Sequence, residues 1–118
     1  MKKLDIIIPK CDYVSLPFIY KLNGEVCQLK ETDLIYFSVK RNLLEKEYLI
    51  QKSLNDGIVY NSEAEKYFIE INYEDTVHLN MNDTYLYDLV IYYDGNKPSQ
   101  KLYGTFQIGP KVTLNEVV

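Results

Sequence analysis

His78, Cys11 and Cys27 are the side chains with the most reactive chemistry to offer, and their number limits what that chemistry could be. His78 is the only histidine, so a multi-histidine metal site is excluded; following Glu74-Asp75-Thr76, it reads as a surface or loop-capping residue. A Cys–His nucleophile would need a thiol beside His78, but neither cysteine stands in a recognisable catalytic context. Without an export signal, the two cysteines are expected to be reduced, partly buried thiols. The carboxylates cluster as Glu63 and Glu65 near Lys66, and as Glu74 with Asp75 before Thr76. Such groups usually form solvated faces, and Asp75 is placed to cap a short helical turn. Asp94-Gly95-Asn96 lacks the spaced oxygens of a calcium loop and reads as a hairpin turn. There is no phosphate-cradling glycine loop and no G-x-S-x-G. The chain therefore reads as non-enzymatic, with no catalytic residue, no cofactor and no metal.

Charge narrows the partners. With 13 Lys and Arg against 17 Asp and Glu, the net charge is -4, and the basic residues are scattered, so no surplus is available to neutralise a phosphate backbone. Nucleic acid is not an expected partner. The opening "MKKLDIIIPK" imitates a secretory n-region, but Asp5 and Pro9 break the apolar run far short of a signal sequence or membrane span. The reading is of a chain that has no signal peptide or transmembrane segment and stays in the cytoplasm when made.

The elements that must position any site read as strands. Twelve tyrosines without a tryptophan lean towards β structure. Short alternating runs between turn residues predict an all-β sandwich, with residues 1–118 as one domain. Val14, Leu16, Phe18 and Tyr20 share a face before a tight turn at Asn23-Gly24. Ile35, Phe37 and Val39 form the inward side of the next strand; Tyr67, Ile69, Ile71 and Tyr73 form that of a later one. In "DTYLYDLVIYYDG", Tyr85, Tyr87, Leu89, Ile91 and Tyr93 point inward, and the chain returns through Leu102, Gly104, Phe106 and Ile108. Gly104 is expected to make room for a bulky tyrosine opposite. Residues 42–57 fit two structures. Asn42 and Glu45 form a capping box ahead of apolar residues at helical spacing, yet Tyr48, Leu49 and Ile50 also suit a short strand. The sandwich's need for a strand here favours the second.

The order "LIYFSVKR", "YLIQKS…DGIV", "YFIEINYEDTVHL", "YLYDLVIYYDGN" and "LYGTFQIGPKVT" resembles the immunoglobulin-like domain of bacteriophage and prophage structural proteins, including the N-terminal domain of baseplate upper proteins. The resemblance implies an immunoglobulin-like antiparallel β-sandwich of about seven to eight strands. It also implies a virion structural or assembly module, associated with tail or baseplate, that contacts other virion proteins or itself as a homo-oligomer. Such a module would reside in the virion, or in the bacterial host's cytoplasm during assembly. It further likens Asp83 to Tyr87 to a tyrosine corner, with Tyr85 or Tyr87 bonding back to nearby backbone.

If strands C, F and G share a sheet as in that fold, Leu34, Tyr36, Leu86, Val90, Tyr92 and Tyr103 lie together on its outward side, interrupted by Asp88. Strand propensity alone can produce such a face. The functional alternative is a protein interface, and a third reading is a stand-alone surface domain that stacks glycans on its tyrosines.

Overall fold

The computed structural model describes residues 2–109, and most of them are in strands. In chain order these are β1 (Lys2–Lys3), β2 (Ile6–Pro9), β3 (Val14–Phe18), β4 (Lys21–Leu22), β5 (Glu25–Val26), β6 (Leu34–Lys40), β7 (Ile50–Leu54), β8 (Gly57–Asn61), β9 (Lys66–Ile71), β10 (Thr84–Tyr93) and β11 (Lys97–Gly109), with one short helix, α1 (Tyr73–Thr76). Residues 110–113, the end of the last stretch that carries the resemblance, lie outside the described residues.

Nine strands form one curled sheet. Its order is β1-β11-β10-β6-β7-β8-β9-β3, with β2 continuing along the same edge of β11 as β1. Most neighbours are antiparallel, but β1 and β2 run parallel to β11, and β7 meets β8 in parallel over two residues where the chain turns a corner. The alternation predicted from sequence holds on the long strands. Ile35, Phe37 and Val39 of β6, Tyr85, Tyr87, Leu89 and Ile91 of β10, and Phe106 and Ile108 of β11 are buried; so are Ile58 of β8 and Tyr67, Ile69 and Ile71 of β9. They form a single core that the curled sheet wraps. No helix among the described residues is long and apolar enough to cross a membrane.

Two local expectations are met differently, at Asn23-Gly24 and at Tyr73, and one ambiguity is resolved. The Asn23-Gly24 turn forms, with both residues at positive φ, but it joins β4 to β5 in a separate two-stranded sheet. In residues 42–57 the strand prevails, starting at Ile50. Asn42 Oδ1 accepts the N–H groups of Leu44 and Glu45 at 3.0 and 3.1 Å, closing a turn that does not propagate. The edge of β6 offers backbone partners instead: Leu49 N–H donates to the Val39 carbonyl at 2.8 Å, and Ile50 pairs with Val39. Tyr73 leaves the inward row and is 43% exposed. The Asp75 carboxylate accepts the Asn72 N–H at 2.7 Å, turning the chain into α1 and burying Thr76. Lys52 Nζ, 2.8 Å from Asp75, ties that turn to β7.

The N-terminal strand is held by one glycine and one tyrosine. Gly104 has φ +156°, and a Cβ there would lie 2.5 Å from the Leu4 carbonyl oxygen. Gly104 does pair with Tyr87, but what it admits is the backbone of Leu4. The Tyr87 hydroxyl then donates to that carbonyl, while Leu4 N–H donates to the Tyr103 carbonyl at 2.9 Å. Asp5 accepts the Thr105 N–H at 3.0 Å, a bond that holds its carboxyl below the usual range. Two more hydroxyls satisfy backbone. Tyr85 accepts the N–H of Asn80, five residues upstream, at 2.8 Å, and Tyr67 accepts that of Leu29 at 2.7 Å. Buried Tyr20 is the exception, since its hydroxyl has no hydrogen-bond partner among the described residues.

These bonds set the expected order of three substitutions. Tyr87→Phe and Tyr85→Phe each remove the hydroxyl partner of a backbone group, the Leu4 carbonyl and the Asn80 N–H, and should cost about 0.5–1.5 kcal/mol in urea unfolding. Tyr20→Phe removes an unpaired buried hydroxyl and should be neutral or stabilising by up to about 1 kcal/mol. Equal losses from all three would mean that the hydroxyls are not paired in this way.

A second prediction concerns alkali. Burial, with a smaller contribution from Asp5, pushes the Tyr87 phenol up from 10.0 to about 12, and burial raises Tyr67 and Tyr20 as well. The folded state thus holds protons that the unfolded chain releases. The contribution of these phenols to stability should be level below about pH 10 and be lost from there through about pH 12, less steeply in Tyr87→Phe, as read by unfolding free energy against pH in the alkaline range.

Candidate interaction groove

The residues that face away from the core on β6, β10 and β11 come together across the sheet. On one side of β10, Tyr92 pairs with Leu34, Val90 with Tyr36, Asp88 with Ser38 and Leu86 with Lys40. On the other, Asp88 pairs with Tyr103, Leu86 with Thr105 and Val90 with Gln100. All six residues expected on this face, Leu34, Tyr36, Leu86, Val90, Tyr92 and Tyr103, line one open groove of about 960 Å³. Tyr36 and Tyr92 meet edge to face, with ring centroids 6.0 Å apart and planes at 80°, a favoured aromatic geometry that fixes both rings.

A bulge shapes the groove. The β10–β11 register shifts between Leu89 and Val90, so Leu89 faces Leu102 while Val90 faces Gln100. The outward row of β11 runs through Thr105 and Tyr103, and without the shift it would continue at Lys101. Gln100 takes that place, donating to the Asp88 carboxylate at 3.2 Å, and the Lys101 ammonium lies 5.6 Å from the Tyr20 ring. Gln51 of β7 donates to Ser38 Oγ at 3.3 Å. Four of the polar side chains of the lining are thus joined in two pairs, beside aromatic and aliphatic surface.

Sequence reasoning missed the contribution of residues 41–49, the loop between β6 and β7. Leu43 and Tyr48 line the groove from this loop, and the Lys40 ammonium lies 4.8 Å from the Tyr48 ring centroid, within cation–π reach. The signal was present as the apolar residues assigned to a helix or a strand core. Leu43 is instead 82% and Leu44 93% exposed.

The groove suits binding by surface complementarity. Its lining holds no cysteine or histidine, and His78 is exposed in the turn after α1. Cys27 lies against the core, its Sγ 3.4 Å from the Glu25 carbonyl oxygen. Among the described residues no group of three or more His, Cys, Asp or Glu is placed to hold a metal ion. No family model matches the chain, and no curated protein matches it.

The alternation of faces is directly testable. Leu34→Lys, at a position that is 45% exposed, should leave stability within about 0.5 kcal/mol of the parent. Ile35→Lys, one residue on and buried, should cost more than about 4 kcal/mol and abolish the cooperative thermal transition. The reverse result would mean the strand faces are exchanged.

Proposed function

We propose that this chain is an immunoglobulin-like β-sandwich acting as a non-enzymatic structural or assembly module of a phage or prophage virion, tail- or baseplate-associated, through protein contacts at the groove. The strand order supports the fold reading. An N-terminal strand parallel to the last strand, next to β10 and β6, with β8, β9 and β3 on the other side of the curl, matches how such sandwiches divide their strands. So does Tyr85, whose hydroxyl reaches back five residues to the Asn80 N–H in the manner of a tyrosine corner.

The observation that carries the functional reading is the gathering of six apolar and aromatic residues from three strands into one groove. Contiguous surface of this kind is where protein partners bind. The virion assignment rests on the sequence resemblance alone. A second reading, a surface ligand- or glycan-binding domain, draws on Tyr36, Tyr92 and Tyr103 beside the Asp88–Gln100 pair, since sugars stack on aromatic rings and bond to such polar groups. Leu43, exposed on the groove's lining, and its exposed neighbour Leu44 favour protein, because aliphatic side chains offer a sugar little.

The test is incorporation into particles. Mass spectrometry of density-purified particles from producing cells should find the chain at a fixed ratio to the other components, and Tyr92→Lys, folded by its thermal transition, should be lost from them. Absence of the parent chain from particles, or equal incorporation of the variant, would overturn the reading. Affinity for host-surface polysaccharide that disappears in Tyr103→Ala would establish the second reading instead.

A further inference from the structure

Asn-Gly occurs once in the chain, at Asn23-Gly24, and the fold sets it at the tip of a weakly held hairpin. Both residues are exposed, with φ of 52° and 82°, and neither the Asn23 carboxamide nor the Gly24 N–H has a hydrogen-bond partner among the described residues. The nitrogen of Gly24 is thus open to approach, because no Cβ stands beside it. Its strands β4 and β5 contribute two residues each, pair only with one another and are exposed throughout. A two-stranded ribbon of that size is marginal by itself. The base of the hairpin is pinned where Cys27 N–H donates to the Tyr20 carbonyl at 2.8 Å, and Tyr20 is buried, so the tip can open while the core stays closed. We propose that Asn23 is a site of spontaneous deamidation in the folded protein, its side chain cyclising onto the Gly24 nitrogen and reopening as an isoaspartyl or aspartyl residue.

The chemistry needs water alone. The Gly24 nitrogen gives up its proton and forms a bond to Asn23 Cγ; the Cγ–Nδ2 bond breaks, and the departing nitrogen takes a proton and leaves as ammonia. Water then adds to either carbonyl of the cyclic imide, cleaving one of its two C–N bonds, and nothing is oxidised or reduced. The product adds one negative charge to a net of -4. Its isoaspartyl form lengthens the turn by one backbone atom, which disturbs the pairing of Lys21 with Val26 and of Leu22 with Glu25 and leaves the main sheet as it was. Asp56-Gly57 provides the contrast within the same chain. Asp56 is also exposed, but its N–H donates to the Ser53 carbonyl at 2.9 Å and its carbonyl accepts the Ser53 N–H at 3.1 Å. Gly57 is packed so closely that a Cβ there would lie 2.3 Å from Lys52 Cδ. Exposure is common to the two sites, and freedom of the backbone separates them.

The test is peptide mapping by mass spectrometry, with isoaspartate identified by fragmentation, of the full chain held at mildly alkaline pH either folded or in concentrated urea. Asn23 should gain one mass unit in the folded chain and release ammonia in equal amount, at a rate within ~10-fold of that in urea. Asp56→Asn places the same dipeptide at the β7–β8 corner. In urea its new site should react as Asn23 does; in the folded variant, checked by its thermal transition, it should react at least ~10-fold more slowly than Asn23 in the same sample. An Asn23 that is modified in urea but intact in the folded chain would overturn the inference, as would equal rates at the two sites in the folded variant. If Asp56→Asn does not fold, the parent's folded and urea rates decide the matter by themselves.

Discussion

The paired register of β10 between β6 and β11 is the constraint on which the rest of the molecule depends. Because side chains alternate across a strand, Tyr85, Tyr87, Leu89 and Ile91 are delivered to the core while Leu86, Asp88, Val90 and Tyr92 are delivered to the outer face. A slip of one residue would exchange the two sets at once, putting Asp88 where Leu89 now lies fully buried. The hydrophobic penalty for that exchange holds the groove in place as firmly as it holds the core. Interior and candidate binding surface are therefore two sides of one energetic decision.

Tyrosine suits both sides of that decision. Its ring supplies apolar area, and its hydroxyl can satisfy backbone groups that strands leave unpaired. Tyr85 closes the turn into β10, Tyr67 receives the chain at Leu29, and Tyr87 reaches through the space left at Gly104 to the Leu4 carbonyl. That last contact fastens the N-terminal strand to β11, on the edge that brings Lys3 to the groove. On the outer face the same residue type serves differently: Tyr36 and Tyr92 hold one another edge to face and present rigid surface with little rotamer freedom left to lose on binding.

The proposed functions differ in what they require of this surface. A protein contact needs water excluded from a broad apolar area, which the groove and exposed leucines provide together. A glycan needs ring faces with polar groups alongside, which the groove provides without help from the leucines. The chemistry of the 41–49 loop therefore favours protein over sugar, whereas the fold does not choose, since one β architecture can host unrelated functions.

Much of this was legible in sequence wherever a strand is long enough for its period to be read. The inward rows of β6, β9, β10 and β11 and the six outward residues of the groove follow from alternation, because burial on one face forces a two-residue repeat. Legibility ended where local and tertiary energies compete. Asn42 begins a capped turn that could have become a helix, but pairing with β6 was worth more than helical bonds with nothing to pack on. Tyr73 obeyed its strand's alternation until Asp75 captured the Asn72 N–H. The shift that puts Gln100 in the groove in place of Lys101 carries no sequence mark, and neither does the approach of Leu4 to Gly104, a contact a hundred residues apart along the chain. What the sequence by itself determined is which residues share a face, since periodicity is a local property of the chain. Which faces meet, where the register slips and which leucines are left in water were decided by the tertiary structure, because those outcomes depend on distant strands competing for the same backbone partners.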